Sequence, residues 1–299
     1  MSAIKRVAIA GATGNLGPAI VTQLIKAGFE VTALTRQDST NSLPNSVKVK
    51  AVDYDSVDSL SSALENQHAL ISTLGSLALS KQLKLVQAAI NAKVNRFIPS
   101  EFGSDTSNPK TSKLPVFADK VVVANTLAEA AEKGSITYTI IRNGPFFDWT
   151  MKAGLLLNIP ERSVILYDGG NRLLSTSTLE TIGKGVVGVL KNPEATKNRG
   201  VYIHDTAITM KQLHAWAEKA TGTSWNTQVV SVENDILAPA WAATKSESPD
   251  FRKAAIPFII TSIWGEGYGG HFEKVDNELL GLKEMTEAEA EAVVVANLK

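Results

Sequence analysis

The stretch VAIAGATGNLGPAIVTQLIKAGFEVTALTR, residues 7–36, joins two short β-branched runs through a glycine-rich turn and an amphipathic segment. Its glycines, Gly11, Gly14 and Gly17, have the spacing G-x-x-G-x-x-G between a predicted strand and a predicted helix. In such a turn the first glycine permits the sharp reversal, the second lets the backbone approach a pyrophosphate, and the third lets the helix pack closely. The helix N-terminus adds amide donors for an anion. The stretch therefore predicts a dinucleotide site, with a purely structural glycine turn as the alternative.

The end of the second apolar run distinguishes the two nicotinamide dinucleotides. Folds that prefer NAD usually carry an acid there, about 20 residues after the glycines, which holds the ribose hydroxyls. Here the chain reads Thr35-Arg36-Gln37. The planar guanidinium of Arg36 suits a 2′-phosphate. NADPH/NADP is the predicted cofactor, and a solvated surface arginine is the alternative interpretation.

The first half of the chain alternates apolar runs with helical patterns of about 10–15 residues, and this alternation requires crossovers between parallel strands. The predicted strands cover residues 7–10, 31–35, 47–52, 69–74, 96–99 and 138–142, and the predicted helices cover residues 16–27, 57–64, 79–92 and 116–133. The near-continuous apolar character of the strands suits a sheet covered on both faces. We expect the α/β class: a Rossmann-like, doubly wound parallel sheet with a smaller C-terminal substrate-binding lobe.

The alternation ends after about Gly144. We therefore expect an NADP-binding domain over residues 1–150 and a substrate lobe over residues 151–299, with elements of the lobe packing back on the sheet. Within the lobe, VILYDGGNRLLS predicts a hairpin that turns at residues 168–171. TMKQLHAWAEKATG, residues 209–222, predicts a helix that begins near Thr209 and ends at Gly222, and the tail TEAEAEAVVVANLK is also helical.

Composition excludes several classes of protein. The 299 residues include 30 basic and 30 acidic side chains, which predicts neither a nucleic-acid nor a membrane partner. There is no cysteine, so disulfides and thiolate chemistry are excluded. The four histidines lack a metal-ligand spacing such as H-E-x-x-H, and we expect no metal. No signal-peptide layout or membrane-spanning run is present, so a cytoplasmic location is expected.

The Tyr-x-x-x-Lys motif of ordinary short-chain dehydrogenases is missing. Four residues beyond each of the five tyrosines stand Asp58, Arg142, Asn171, Thr206 and Phe272, none of them lysine. A G-x-S-x-G elbow is missing too, which argues against an ordinary α/β-hydrolase. The usual tyrosine acid is therefore absent.

Two further segments identify a family. RFIPSEFGSD, residues 96–105, follows the fifth predicted strand, and LPVFADKVVVANTLAEAAEKG, residues 114–134, carries Lys120 in the first turns of the next helix. Together with GATGNLG and with the tail segment DNELLGLKEMTEAE, they resemble the NmrA-like and isoflavone-reductase-like proteins. These are atypical relatives of the short-chain dehydrogenases that include the phenylcoumaran benzylic ether reductases. PSEFG is the most specific part of the resemblance.

The resemblance implies an NADPH-dependent reductase of aromatic, often phenolic, small molecules, with Lys120 as general acid/base or as the cation that steers the substrate oxygen. The chemistry agrees. Hydride addition to a carbonyl, or to a carbon freed by ether opening, leaves charge on oxygen that a nearby proton donor stabilises. The alternative for Lys120 is a solvated helix lysine, although the following VVVA starts an apolar stretch.

The residues expected at the cofactor belong to the glycine turn, to Arg36 and to the ends of the later strands. They are Gly11, Thr13, Gly14, Asn15, Leu16, Gly17, Arg36, Thr73, Gly75, Ser100, Phe102, Lys120, Asn143 and Phe146. Apolar side chains near the same sheet edge are candidates for an aromatic substrate wall, with core packing as the alternative. They are Phe102, Phe147, Trp149, Met151, Phe258, Ile259 and Trp264. Glu101 is expected to hold its loop, and the glycines of IPFIITSIWGEGYGG suggest a mobile lid.

A second function from a different class remains open. Some proteins of the resembled family bind NADP without catalysis and act as regulators through a protein partner, and fold alone does not decide function. Lys120 in a pocket favours the enzyme, because a pure sensor has no need of it. An epimerase that uses its cofactor transiently is weakened by the missing Tyr-x-x-x-Lys.

Overall fold

The computed structural model describes residues 4–37, 39, 42–245 and 251–298, with only the backbone described for residues 251–254. Seven parallel strands form the main sheet in the order β3-β2-β1-β4-β5-β6-β9. The strands are β1 Arg6–Ala10, β2 Glu30–Arg36, β3 Lys48–Val52, β4 Ala69–Ser72, β5 Arg96–Ile98, β6 Thr137–Arg142 and β9 Arg199–Tyr202. The predicted Rossmann-like fold is confirmed.

Helices cover both faces of this sheet and fill the lobe beyond it. They are α1 Gly17–Lys26, α2 Val57–Leu64, α3 Gln82–Asn91, α4 Ala118–Glu132, α5 Phe147–Lys152, α6 Leu179–Lys191, α7 Met210–Thr221, α8 Ala238–Thr244, α9 Phe251–Trp264 and α10 Glu287–Asn297. Two of the predicted helices begin later than expected, because short 3₁₀ turns, Ser76–Lys81 and Pro115–Phe117, precede α3 and α4. A π-helical turn, Val232–Leu237, precedes α8.

The pleat of the strands separates two apolar layers. Ile9 and Ile71 point into one core cluster with α1 and α6, whereas Ala8 and Leu70 point into the other with α2, α3 and α4. Side chains alternate between the faces of a strand, so a strand buried on both faces is apolar at every position. This explains the unbroken apolar runs in the sequence.

Two elements from beyond residue 150 complete the main sheet. β9 pairs with β6 in parallel, and α6 packs on α1. The helices approach closely at Gly183, where a β-carbon would lie 2.9 Å from the carbonyl oxygen of Ala19. The main sheet therefore includes a strand from the second half of the chain.

The C-terminal lobe contains two small sheets, and the predicted hairpin is wrong. β7 (Ser163–Tyr167) pairs in parallel with β11 (Asn226–Val230), and β8 (Leu174–Thr176) pairs antiparallel with β10 (Thr206–Ile208). Asp168, Gly169 and Gly170 have φ angles of +47°, +80° and +74°, so three successive left-handed residues turn the chain out of β7. Asp168 also accepts a hydrogen bond from the amide of Val232 at 3.0 Å.

The predicted lobe helices are present. Thr209 and Gln212 form a capping box at the start of α7, and Gly222, at φ +63°, ends it. Thr286 and Glu289 form a second capping box at the start of α10. None of the described helices is long and apolar enough to cross a bilayer. The described residues contain no cluster of His, Asp or Glu suited to a metal ion.

Candidate active site

The glycine turn lies between β1 and α1 and cannot accept side chains at two of its positions. Gly11 has φ +88°, and a β-carbon there would lie 2.7 Å from the carbonyl oxygen of Thr73. A β-carbon on Gly17 would lie 2.3 Å from the carbonyl oxygen of Gly11. A β-carbon on Gly14 would lie 3.4 Å from the carbonyl oxygen of Gly11, an ordinary contact, and Gly14 itself lines the neighbouring cavities. The turn is a tight cradle with one face free.

The start of α1 has no side-chain cap on its amide groups, although Pro18 in the first turn carries no N–H. Leu16 stands at the N-cap, where its apolar side chain makes no cap hydrogen bond, and the first turn contains no acid. A helix begun in this way presents unsatisfied N–H donors and the positive end of its dipole. The cradle and the helix start together fit a pyrophosphate.

A cavity of about 650 Å³ extends from the cradle toward the ends of β2 and β3. Arg36 lines it and is exposed. Tyr54 stands opposite and donates its hydroxyl to the carbonyl of Leu34 at 2.9 Å. Burial raises the pKa of Tyr54 to about 12, against the lowering effect of the Arg36 charge, so the phenol stays neutral. The cation at this end of the cavity fits a 2′-phosphate.

Lys81 is a second cation in this wall, and it lies on the 3₁₀ turn after β4. Its ammonium pairs with the carboxylate of Asp55, which Lys84 also contacts at 3.2 Å. The two lysines lower the pKa of the Asp55 carboxyl by hydrogen bonding. The sequence interpretation missed Asp55 and Lys81, because nothing in the local pattern pairs residues that lie 26 positions apart.

A second cavity of about 350 Å³ continues the first along the carboxyl edge of the sheet. The two share a wall, which Gly14, Thr73, Leu74 and Gly75 form. The open groove thus runs from the ends of β2 and β3, past the glycine turn, to the ends of β4 and β5. The groove crosses the point between β1 and β4 where the strand order reverses, which is where such sheets bind dinucleotides.

Lys120 stands in the second cavity, near the start of α4. Its ammonium donates to the main-chain carbonyl of Glu101 and lies 5.8 Å from the centre of the Phe117 ring. Burial lowers the pKa of Lys120, and the negative charge of Glu101 opposes that shift. A lysine held in this way can carry a proton to a reacting oxygen or stabilise charge on it.

A third cavity of about 210 Å³ adjoins the second through Ser76 and Leu79. Val116, next to the start of α4, and Phe258, on α9, lie in its walls. Phe258 packs edge-to-face on Trp241 with ring centroids 5.0 Å apart. This mostly apolar cavity therefore lies next to the cavity that Lys120 lines.

Hydrogen bonds tie the segment after α9 to the loop after β5. The Asn108 amide donates to the carbonyl of Gly267 at 3.0 Å, and the Lys110 ammonium donates to that of Glu266 at 2.9 Å. The Thr111 hydroxyl donates to the carbonyl of Tyr268 at 2.6 Å. In this structure the glycine-containing segment suggested as a lid is therefore hydrogen-bonded to residues 108–111 of the loop after β5.

The structure brings most of the predicted cofactor residues into one groove. Those that line the first two cavities are Gly11, Thr13, Gly14, Asn15, Leu16, Arg36, Thr73, Gly75, Ser100, Phe102, Lys120 and Phe146. Gly17 packs beneath the turn instead, and Asn143 is fully buried, with its side-chain amide donating to the carbonyl of Gly144 at 2.7 Å. Their direct contact with a cofactor stays a prediction.

The predicted substrate residues fall into different environments. Phe147, Met151 and Trp264 belong to the buried core of the lobe, where Trp264 stacks on Tyr167 at 4.4 Å. Ile259 packs between that core and the cluster around Phe258. Trp149 is 38% exposed and meets Phe146 edge-to-face. Among the seven candidates, Phe102 and Phe258 line the second and third cavities respectively.

Residues missed by sequence interpretation also line the groove: Asp53, Tyr54, Asp55, Leu74, Ala78 and Lys81 in the first cavity, and Ser76 and Leu79 in the second. For Asp53, Tyr54 and Asp55 a signal existed. They directly follow β3, and the carboxyl ends of parallel strands share one edge of the sheet.

Comparison with known proteins agrees with this geometry. The model of the NmrA-like family matches residues 3–240. Oxidoreductase aprR of Aspergillus flavus is 32% identical over 286 residues, which cover 93% of this chain and 94% of that protein. Bifunctional pinoresinol-lariciresinol reductase 2 of Thuja plicata is 29% identical over 262 residues, covering 80% of this chain and 82% of its own.

A solved structure of AtPrR2 with NADP+ and (+)pinoresinol superposes with a TM-score of 0.75 at 25% identity, over 92% of each chain. The family resemblance expected from the glycine turn, the PSEFG segment and the helix that carries Lys120 is confirmed. The chain belongs to the NmrA-like family.

Proposed function

We propose that this NADPH-dependent oxidoreductase reduces an aromatic or phenolic small molecule, with Lys120 as general acid or as the cation that stabilises charge on oxygen. The observation that carries the proposal is the position of Lys120. Lys120 lines the cavity that continues the glycine-turn groove, and this cavity shares Ser76 and Leu79 with the mostly apolar third cavity. The similarity to reductases, and to a structure that holds NADP+ and pinoresinol, supports it.

NADPH, when bound, supplies the hydride. The chain's own residues then have separate tasks. The turn at Gly11–Gly17 and the amides of α1 hold the pyrophosphate, and Arg36 pairs with the 2′-phosphate. Ser100 is fixed by two hydrogen bonds, both 2.8 Å long: its hydroxyl donates to the carbonyl of Leu74, and its amide donates to the side-chain oxygen of Gln82. These contacts fix the position of Ser100, which lines the second cavity.

Lys120 donates the proton. For a carbonyl acceptor, the carbon gains the hydride and the oxygen takes a proton from the Lys120 ammonium, so that the products are the alcohol and NADP+. For a benzylic ether, the carbon–oxygen bond breaks, the carbon gains the hydride, and the phenolic oxygen takes the proton. In both reactions the cation stands near the oxygen that gains charge, where stabilisation lowers the barrier most.

The third cavity is the proposed place for the substrate ring. Leu79, Val116 and Phe258 provide apolar surface there, and burial of an aromatic ring against such surface contributes roughly 25 cal/mol per Å². Asp119 lies in the same wall and is exposed. Its carboxylate is an acceptor for a phenolic hydroxyl.

The test is NADPH oxidation over a panel of aromatic carbonyl, enone and benzylic-ether acceptors. Wild type is compared with Lys120→Met and with Lys133→Met, a matched control at the exposed C-terminal end of the same helix. NADP+ affinity is measured in all three by calorimetry. We expect turnover in wild type and in Lys133→Met, and a loss of about 100-fold or more in Lys120→Met with cofactor affinity retained.

Equal turnover in all three proteins would contradict the role of Lys120 while leaving the reductase. Tight NADP+ binding with no turnover on any acceptor would contradict the reductase itself. That result would favour the non-catalytic regulator, and the next experiment would then be a search for a protein partner.

A further inference from the structure

The carboxylate of Glu101 is almost completely buried. The residue is 1% exposed, and one carboxylate oxygen, Oε2, accepts a hydrogen bond from the Thr106 hydroxyl at 2.8 Å. The other oxygen, Oε1, is buried and has no hydrogen-bond partner among the described residues. An ionised carboxylate in such surroundings is strongly destabilising unless a positive charge compensates it.

Two cationic side chains near this loop, Arg142 and Lys120, are candidates for the charge that compensates the Glu101 carboxylate. Arg142 is already paired, because its Nε lies 2.8 Å from the carboxylate of Asp105. Lys120 remains. Its ammonium donates to the main-chain carbonyl of Glu101 itself, which brings the charge near the carboxylate of the same residue without a direct ion pair between the two side chains. The negative charge of Glu101 opposes the lowering of the Lys120 pKa by burial. Asp119, next to Lys120 on α4, is exposed to solvent and is a weaker counter-charge.

We propose that Glu101 is the positioning residue for Lys120: its main-chain carbonyl holds the ammonium in the second cavity, and its buried carboxylate is the counter-charge. This inference rests on the proposed function in one respect, since it gives the pair a purpose only if Lys120 moves a proton. Glu101 thus does more than fix its loop.

The arrangement separates two tasks that one contact cannot perform. The carbonyl fixes the place of the ammonium but carries only a partial charge. Burial on its own favours the neutral amine, which cannot donate a proton to a developing alkoxide. A full negative charge close by favours the ammonium and keeps the donor loaded. Because Oε1 is closed off from solvent, the carboxylate acts on the reaction through Lys120.

The direct test measures the protonation of Lys120 without any turnover. Wild type and Glu101→Gln are labelled with trace acetic anhydride over a pH series, and the peptide that contains Lys120 is quantified by mass spectrometry. Glutamine keeps the shape and can still accept the Thr106 hydrogen bond, but it lacks the charge. We expect the labelling midpoint of Lys120 to fall by about one pH unit or more in Glu101→Gln. Glu129→Gln, an exposed change on the same helix, should leave it in place.

An unchanged midpoint in folded Glu101→Gln would overturn the proposal. Because labelling needs no acceptor substrate, an absence of turnover in every protein would contradict the proposed function without affecting this result. The two failures are therefore distinguishable.

A double-mutant cycle on thermal stability gives a second, independent measurement. Lys120→Met leaves the carboxylate uncompensated, and Glu101→Gln leaves the ammonium uncompensated, so each should lower the melting temperature. The double variant, which removes both charges, should melt above the sum expected from the single changes. Strict additivity would overturn the proposal. If Glu101→Gln alone does not fold, recovery of folding in the double variant supports it and continued failure contradicts it.

Discussion

Gly11 and Thr73 meet where β1 and β4 end. The Thr73 hydroxyl donates to the Gly11 carbonyl at 2.9 Å, and a β-carbon on Gly11 would lie 2.7 Å from the Thr73 carbonyl oxygen. The conformation of the glycine turn is therefore set by contact with the segment after β4 as well as by the φ angle of Gly11. A change at Gly11 must disturb both.

Gly11→Ala should reduce stability and cofactor binding together. The left-handed φ of +88° contributes strain of roughly 1–3 kcal/mol once a side chain is present, and the clash with Thr73 moves the turn. Gly134→Ala is the control, because Gly134 has φ +69° but a β-carbon there would have no described atom within 4 Å. We expect both variants to melt earlier and only Gly11→Ala to lose NADP+ affinity in a calorimetric titration. Intact affinity in Gly11→Ala would contradict the cradle.

Arg36→Ala should weaken NADP+ far more than NAD+. A hydrogen bond to a charged partner contributes about 1.5–3 kcal/mol, which corresponds to a loss of roughly 10- to 150-fold in NADP+ affinity. Binding of NAD+, which lacks the 2′-phosphate, should change little. Lys48→Ala removes an exposed cation on β3 and serves as the matched control. Equal losses for both cofactors would show that Arg36 supports the fold of the groove and does not read the phosphate.

The pH dependence of turnover should report Lys120. Burial lowers its pKa, so the ammonium is lost at a lower pH than that of an exposed lysine. Since the donor must be protonated, kcat should be level below this pKa and fall about tenfold per pH unit above it. In Lys120→Arg kcat should be lower and the alkaline decline should disappear, because a guanidinium keeps its positive charge at high pH but is a poor proton donor. The measurement is kcat against pH at saturating NADPH, and an identical alkaline decline in both proteins would assign the titration to another group.

Phe258 should decide which acceptors fit. Phe258→Leu changes the shape of the third cavity with little loss of apolar volume, so the ratio of kcat/KM between a two-ring and a one-ring acceptor should shift about tenfold. Trp264→Phe, in the lobe core against Tyr167, should lower the melting temperature and leave that ratio unchanged. If the ratio follows Trp264 and not Phe258, the substrate lies elsewhere.

The sequence was most informative where local patterns decide structure. The strands of the main sheet are apolar at successive positions because both faces are covered, and the capping boxes at Thr209 and Thr286 mark helix starts that the residues alone predict. The small sheets were not predictable in the same way. β7 and β11 are separated by more than 50 residues, and neither strand specifies its partner by pattern.

In the candidate site, too, some residues could be predicted from local sequence patterns and others only from the fold. The glycine turn and Arg36 follow from strand–turn–helix chemistry, and Lys120 from the family resemblance. Which apolar residue lines a cavity did not follow, because Phe147 and Phe258 are equally suited to a core and to a substrate wall. Only the fold places Phe147 in the lobe core and Phe258 beside the third cavity. Likewise, the contact of Lys120 with Glu101 depends on how α4 docks beside β5.

Because the chain returns to the main sheet at β9, the first half of the chain depends on the second half for its folding. β9 covers the edge of β6, and α6 covers α1, so a fragment that ended at residue 150 would expose an unpaired strand edge and an apolar helix face. Such a fragment would aggregate sooner than bind a nucleotide. If the substrate binds in the third cavity as proposed, its specificity would be changed by replacing side chains around that cavity, and not by exchanging halves of the polypeptide.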